Sequence, residues 1–228
     1  MTALDARLPG ARPLLVAHRA GNDLARLRQA EAAGVDLIEA DVWLYRRRLE
    51  LRHLKTLGPV PVLWDRWFLA PGWGPRLRLT DLLAAARPET ALLLDLKGFD
   101  PRLSAHLLAA MDEAAASRHI IVCSRNWRLL SPFAGHPRIG AIRSVGSERQ
   151  LQAVWAHLPA AGDAGVASAV SIHARLLTPA VVAALRARST AVIPWAVADE
   201  AHARQLLAWG VVGINGDDLG WLARVRGA

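Results

Sequence analysis

The stretch Gly34-Val35-Asp36-Leu37-Ile38-Glu39-Ala40-Asp41-Val42 contains the pattern that decides the fold. It begins with a glycine, which ends the helical pattern of residues Asp23–Ala33. The apolar run Val35–Val42 follows at once and predicts a buried strand. A helix that stops at a glycine and leads into a buried strand is the repeating step of α/β proteins with parallel sheets.

The same step recurs along nearly the whole chain. Strands are predicted at Leu14–His18, Val35–Val42, Ala91–Lys97, His119–Ser124, Arg138–Arg143, Val166–His173, Thr190–Trp195 and Val211–Asn215. Helical patterns lie between them, including Thr80–Ala86, Trp127–Phe133, Ser147–His157, Thr178–Arg188 and Asp199–Trp209. This alternation fits a closed (β/α)₈ barrel or an open doubly wound sheet. The chain has neither a P-loop nor a G-x-G-x-x-G turn after its first strand, which disfavours a nucleotide-binding open sheet.

Size and composition predict one globular domain over residues 1–228, because 53% of the residues are hydrophobic. The net charge of +8 fits either a solvated arginine-rich surface or attraction to an anionic partner. The basic residues are dispersed and no aromatic RNA-binding motif is present, so nucleic-acid binding is not expected.

The N-terminal residues and the hydropathy pattern bear on location. Met1–Gly10 contains Asp5 and lacks the apolar segment of a signal peptide. No uncharged apolar window reaches the roughly 18 residues of a membrane span. We therefore expect a cytoplasmic protein, in which the one cysteine, Cys123, is a buried thiol.

Polar residues follow or end the predicted strands, where the functional residues of parallel α/β barrels lie. They are His18, Arg19, Glu39, Asp41, Asp95, Lys97, Arg125, Arg143, His173, Arg175 and Trp195. Glu39 and Asp41 are two residues apart on one strand, so both side chains are expected to face the barrel interior. Two carboxylates placed together there repel each other unless a cation lies between them.

A hard divalent cation with oxygen ligands meets that requirement. Asp95 ends the next predicted barrel strand and is expected to supply a third carboxylate. Lys97 lies on the same face of that strand, where it can hold an anionic group. The alternative is that Glu39 or Asp41 forms a structural ion pair with an arginine.

His18 and His53 flank the carboxylate pair in sequence and are the candidates for acid and base, because histidine gains and loses a proton near neutral pH. Between His53 and the next helix, the Leu54–Leu79 loop is rich in tryptophan and arginine. Its aromatic side chains are expected to cover the barrel mouth or pack into a core; the alternative is peripheral contact with a membrane surface through residues 54–79.

Six motifs in order resemble those of the glycerophosphodiester phosphodiesterase family. They are Ala17–Gly21 (AHRAG), Gly34–Val42 (GVDLIEADV), Leu79–Leu83 (LTDLL), Leu93–Lys97 (LLDLK), Ile193–Val197 (IPWAV) and Gly210–Asp217 (GVVGINGD). The resemblance implies a single-domain (β/α)₈ barrel that hydrolyses a small glycerophosphodiester or lysolipid to an alcohol and glycerol phosphate.

The resemblance also implies roles for individual residues. Glu39, Asp41 and Asp95 would bind Mg²⁺ or Ca²⁺, and His18 and His53 would be the general acid and base. Arg19, Lys97 and Trp195 would bind the substrate.

Three departures from the family pattern leave alternatives open. The family's P-E-N-T segment is replaced by residues that start at Asn22, the aspartate that follows the second histidine is Leu54, and the third metal ligand is Asp95 where glutamate is usual. The D-x-K strand is similar to that of sphingomyelinase D, which forms a cyclic phosphate. A cyclising lyase and a catalytically impaired anion-binding relative are therefore the alternatives to hydrolysis.

Overall fold

The computed structural model describes residues 12–57, 60–65, 68–73, 75–114, 118–158, 160 and 168–226. The strands are β1 (Leu14–Ala17), β2 (Leu37–Tyr45), β3 (Arg48–Leu51), β4 (Lys55–Leu57), β5 (Val60–Asp65), β6 (Phe68–Pro71), β7 (Leu92–Leu96), β8 (Ile120–Ser124), β9 (Ile139–Val145), β10 (Ser168–His173), β11 (Thr190–Trp195) and β12 (Gly213–Gly216). Eight of them form a parallel sheet in the order β11-β10-β9-β8-β7-β2-β1-β12. Its two edges meet where the Val212 N–H donates to the Val192 carbonyl at 3.1 Å. The fold is therefore the predicted (β/α)₈ barrel, nearly closed.

Helices connect most of the barrel strands: α1 (Leu24–Ala32), α2 (Leu79–Ala85), α3 (Arg102–Ala114), α4 (Glu148–Val154), α5 (Pro179–Arg186), α6 (Glu200–Trp209) and α7 (Leu219–Arg226). Side chains of short polar residues cap the start of several of them. Thr178 accepts the Val181 N–H at the start of α5, and Asp199 accepts the His202 N–H at the start of α6. Gly210 ends α6 at φ 99°, a conformation that favours glycine.

The helix predicted at Trp127–Phe133 is present, and it is a 3₁₀ helix that contains Pro132. Other predicted elements differ in their bounds. The helix α2 starts at Leu79, one residue before the predicted Thr80. The N–H of Arg78, which precedes it, donates to the Asp81 carboxylate at 2.8 Å. The strand β2 extends to Tyr45 because β3 pairs with its end as an antiparallel hairpin.

The largest correction concerns residues 54–79, which were predicted to be a loop. The strands β4, β5 and β6 form a separate three-stranded antiparallel sheet there. Trp64 lies half-buried on β5 with the Lys55 ammonium 4.6 Å from its ring centroid, whereas Leu69 and Trp73 are exposed. Arg66 and Trp67 lie outside the described residues, as does the side chain of Phe68.

The alternation of side chains along the barrel strands separates two apolar layers. The inner layer joins residues from strands around the barrel, such as Leu37, Leu93 and Ile142. The outer layer packs neighbours such as Ile38 and Ala40 against the helices. Glu39 and Asp41 have the same parity as Leu37, so they project into the barrel, as predicted. Among the described helices, none is long and apolar enough to cross a membrane.

Candidate active site

Three carboxylates meet inside the barrel at the carboxyl ends of β2 and β7. Asp41 and Asp95 are register partners on these neighbouring strands, and Glu39 lies two residues before Asp41. One carboxylate oxygen from each residue lies within 4.8 Å of the others. Glu39 and Asp41 are 3% and 1% exposed, so water does little to screen their repulsion. The structure thus brings together the three residues that the sequence pattern selects.

One lysine partly compensates this negative charge. The Lys97 ammonium lies 2.8 Å from Asp41 Oδ1 and also contacts Asp95 Oδ2. Burial opposes its charge, but the three carboxylates outweigh burial and raise the pKa of Lys97. Even with the Arg19 guanidinium 3.7 Å from Asp41, the three carboxylates outnumber the neighbouring cations.

The pKa values of the three carboxylates shift in different directions. Burial raises the pKa of Glu39 well above its usual value, and repulsion from Asp41 and Asp95 adds to the effect. Burial likewise raises the pKa of Asp95. Burial also acts on Asp41, but its contacts with His53, Lys97 and Asn22 outweigh burial and lower its pKa. In the absence of a cation the cluster therefore tends to retain a proton on Glu39.

The turn after β1 positions two of these carboxylates. Asn22 Nδ2 donates to Asp41 Oδ2 at 2.8 Å, and the Asp41 N–H donates back to Asn22 Oδ1 at 2.8 Å. The Arg19 N–H donates to Glu39 Oε2 at 2.6 Å from a left-handed backbone conformation with φ 53°. A Cβ at Gly21 would lie 2.8 Å from Ala40 Cβ, so this turn approaches β2 too closely for a side chain there.

His53 lies beside the carboxylate cluster, and His18 directly follows β1, the neighbour of β2 in the barrel. Each histidine contacts an aspartate outside the cluster. His18 Nδ1 is 2.9 Å from Asp217 Oδ1, just after β12. His53 Nε2 is 3.2 Å from Asp65 Oδ2, at the end of β5, and His53 Nδ1 is 3.4 Å from Asp41 Oδ2. Hydrogen bonding to His18 lowers the pKa of Asp217, which keeps that carboxylate charged beside the ring.

The contacts of Asp217 with His18 and of Asp65 with His53 were not predicted from the sequence. Asp217 ends the GVVGINGD motif, so its place after the last strand was a usable signal. Asp65 lay in a segment predicted to be a loop, and no pattern in the sequence placed it near His53.

The predicted substrate-binding residues lie in two places. Arg19 reaches the histidine region, with Nη2 3.1 Å from His53 Nε2 and Nε 3.7 Å from Asp41 Oδ2, and Lys97 lies between the carboxylates. Trp195 ends β11, four strands from β7 in the barrel order, and its ring centroid is 4.5 Å from that of His173. Arg143 instead packs over the Trp127 ring at 5.9 Å, with outward parity on β9.

Comparison with solved structures shows the same fold in several enzymes. A glycerophosphoryl diester phosphodiesterase from Silicibacter pomeroyi DSS-3 superposes with a TM-score of 0.76 at 19% identity, covering 99% of this chain and 97% of that one. An Oleispira antarctica phosphodiesterase, determined with the product sn-glycerol-3-phosphate, has a TM-score of 0.76 at 17% identity, covering 100% and 98%. A Thermotoga maritima glycerophosphodiester phosphodiesterase has a TM-score of 0.69 at 14% identity, covering 96% and 100%. At these identities the likeness concerns the fold.

The family relationship comes from the sequence model. Comparison with curated proteins gave no match. The model of the glycerophosphoryl diester phosphodiesterase family matches residues 87–220, which is more than half of the chain. This match includes the Asp95–Lys97 strand and the closing GVVGINGD motif, and it confirms the resemblance drawn from the six ordered motifs. The chain therefore belongs to the glycerophosphoryl diester phosphodiesterase family, whose members are phosphoric diester hydrolases.

Proposed function

We propose that this protein catalyses the metal-dependent hydrolysis of a glycerophosphodiester to an alcohol and glycerol phosphate, with His18 and His53 as general acid and base. One observation carries the proposal. Three carboxylates, each with a ligand atom within 4.8 Å of the others, lie beside His53, and His18 follows the neighbouring strand β1. Each of the two histidines contacts an aspartate outside the cluster.

The chemistry of the donor set fits a divalent metal ion. Asp95 Oδ1 is buried and has no hydrogen-bond partner among the described residues, although a buried carboxylate oxygen normally has one. Burial and repulsion from Asp41 raise the pKa of Glu39, and a bound cation would offset both effects. Glu39, Asp41 and Asp95 would hold the ion, and oxygen donors of this kind suit both Mg²⁺ and Ca²⁺. A bound divalent cation supplies Lewis-acid stabilisation of charge on the phosphoryl oxygens.

Arg19 and Lys97 supply the positive charge for the phosphodiester itself. Both side chains contact the Asp41 carboxylate and remain partly exposed, at 37% and 27%. A phosphate between them exchanges carboxylate contacts for charge-assisted hydrogen bonds to its own oxygens. These bonds strengthen as negative charge accumulates at phosphorus in the transition state.

The histidines perform the proton transfers. In the reaction that the family resemblance implies, a neighbouring hydroxyl of the substrate attacks phosphorus and water then opens the resulting cyclic phosphate. One histidine takes the proton from the attacking oxygen and the other gives a proton to the leaving alcohol oxygen. Asp217 and Asp65 orient the two rings, because each carboxylate contacts one ring nitrogen and rotation of the imidazole would break that contact.

The Oleispira antarctica enzyme was determined with sn-glycerol-3-phosphate as its product, and we assign the same product to this chain. The substrate is then a small glycerophosphodiester or a lysolipid. The exposed side chains of Leu69, on β6, and Trp73, just after it, are consistent with peripheral contact between residues 54–79 and a lipid surface.

An activity screen tests the proposal. Purified protein is incubated with glycerophosphocholine, glycerophosphoethanolamine and glycerophosphoinositol, with Mg²⁺, Ca²⁺ or EDTA, and released glycerol phosphate is measured. We expect turnover that EDTA abolishes, and a loss of at least a hundredfold in kcat for His18→Ala and His53→Ala. His106→Ala, at a partly exposed helix position, is the matched control. Undiminished activity of His53→Ala refutes the catalytic assignment, and accumulation of a cyclic phosphate identifies the lyase alternative.

A further inference from the structure

The barrel wall away from the carboxylates carries a cluster of hydrogen-bond donors, which we call the basic cluster. Its members are Arg125, His173, Arg175 and Trp195, at or just after the ends of β8, β10 and β11. Within the described residues, no carboxylate forms an ion pair with any of these side chains. Some exposed arginines elsewhere do have such a partner, as Arg204 has in Glu200 at 2.7 Å.

Two guanidinium groups are brought together over one glycine. Arg175 Nη2 donates to the Gly146 carbonyl at 3.0 Å, and a Cβ at Gly146 would lie only 2.7 Å from Arg125 Nε. Gln150 fixes the arrangement, since its side chain accepts the Gly146 N–H at 3.0 Å and donates to the Arg125 carbonyl at 2.8 Å. Two like charges near one residue repel each other, which favours an anion between them.

His173 and Trp195 add neutral donors to the same place. His173 Nδ1 accepts the Arg175 N–H at 3.2 Å, which puts the proton of the neutral ring on Nε2. Burial lowers the pKa of His173, and Arg175 and Arg125 lower it further, so the ring is neutral near pH 7. Trp195 Nε1, beside it, is buried and has no hydrogen-bond partner among the described residues. A buried indole N–H usually has an acceptor.

We propose that the basic cluster binds a second anionic group, a carboxylate or a phosphate monoester, on the alcohol part of the glycerophosphodiester. This inference rests on the proposed function and specifies its substrate class. Three strand spacings separate β7 from β10, about 14 Å along the barrel wall. The cluster is thus distinct from Lys97 and the carboxylates, and it lies within reach of a group several bonds from the reacting phosphorus.

Matched substrate pairs test this selectivity. Glycerophosphoserine differs from glycerophosphoethanolamine by one carboxylate, and glycerophosphoinositol 4-phosphate differs from glycerophosphoinositol by one phosphate. For one of the two pairs, we expect kcat/KM to be at least tenfold higher for the substrate with the additional anionic group, mainly because its KM is lower. The pair that shows this difference identifies the bound group as a carboxylate or a phosphate. Arg125→Gln and Arg175→Gln should each lower that ratio by at least fivefold, whereas Arg175→Lys should retain part of it. Arg128→Gln, on the exposed side of the 3₁₀ helix, is the control. A ratio near one in the unmodified protein, or an unchanged ratio in both Gln variants, overturns the proposal.

A binding measurement separates this proposal from the proposed function. Inorganic phosphate is titrated calorimetrically into protein in EDTA. We expect binding that persists in Lys97→Gln and weakens at least tenfold in the Arg125→Gln/Arg175→Gln double variant, whose folding is checked by its thermal melt. If no diester is hydrolysed and this pattern still holds, the proposed function fails and the anion site stands. Equal phosphate binding by the double variant, or none by the unmodified protein, overturns the anion site.

Discussion

Replacing Glu39 by glutamine should stabilise the metal-free protein and remove most of the stabilisation that a bound metal ion gives. The folded-state pKa of Glu39 is raised above its usual value of 4.5, so the folded chain binds this proton more tightly than the unfolded chain. The stability that Glu39 contributes to the metal-free protein therefore falls as pH rises from 4.5 towards the folded-state pKa, by about 1.4 kcal/mol per pH unit. Glutamine does not titrate, and its oxygen can still accept the Arg19 N–H.

The size of both effects follows from linkage. For a chain of this length each kcal/mol shifts Tm by about 2–4 °C. At a pH above the folded-state pKa of Glu39, the Glu39→Gln variant in EDTA should therefore melt about 3–6 °C higher for every unit by which that pKa is raised. Metal at a hundred times its Kd should stabilise the unmodified protein by about 2.7 kcal/mol, or about 5–11 °C. If the lost ligand weakens binding a hundredfold, the variant gains only about 0.4 kcal/mol, or about 1–2 °C.

The assay is differential scanning fluorimetry from pH 5 to 8 in EDTA and in excess Mg²⁺ or Ca²⁺. Glu148→Gln makes the same chemical change at an exposed position and should leave both the pH slope and the metal response unchanged. The reasoning is refuted if Glu39→Gln is less stable than the unmodified protein in EDTA at pH 8. It is also refuted if metal raises the Tm of Glu39→Gln by as much as it raises the Tm of the unmodified protein.

Three further predictions concern single positions. Asn22→Ala leaves the buried Asp41 N–H without its acceptor and should cost about 1–3 kcal/mol in urea unfolding, with weaker metal binding by calorimetry; equal stability would contradict the role of this pair. Gly216→Ala places a Cβ 2.3 Å from the buried Trp221 ring and should cost about 1–3 kcal/mol in the same assay, whereas a neutral result would mean that the ring moves freely. Burial raises the pKa of Cys123, so iodoacetamide at pH 8 should leave the folded protein unlabelled by mass spectrometry and label it in guanidinium; rapid labelling of folded protein would count against a buried thiol.

The sequence was most informative where a local rule determines geometry. The two-residue spacing of Glu39 and Asp41 predicted their common inward face, because strand side chains alternate. The sequence did not predict the partners of His53, because the contact with Asp65 depends on how residues 54–79 fold. That segment is rich in proline, glycine and tryptophan and lacks regular alternation, yet β4, β5 and β6 pair with one another there. Pairing between strands is set by tertiary context more than by local propensity.

The small sheet gives the departures from the family pattern a different meaning. The aspartate that follows the second histidine in the family is Leu54 here, and by sequence alone this loss suggests an impaired enzyme. In space, Asp65 at the end of β5 lies 3.2 Å from His53 Nε2. Asn22 likewise holds Asp41 through two hydrogen bonds, although the P-E-N-T segment is absent. A carboxylate that orients a histidine acts through its position and charge, irrespective of which strand supplies it. The altered motifs therefore support a rearranged acid/base site rather than a lost one, and they make Asp65→Asn the substitution that best separates these two readings.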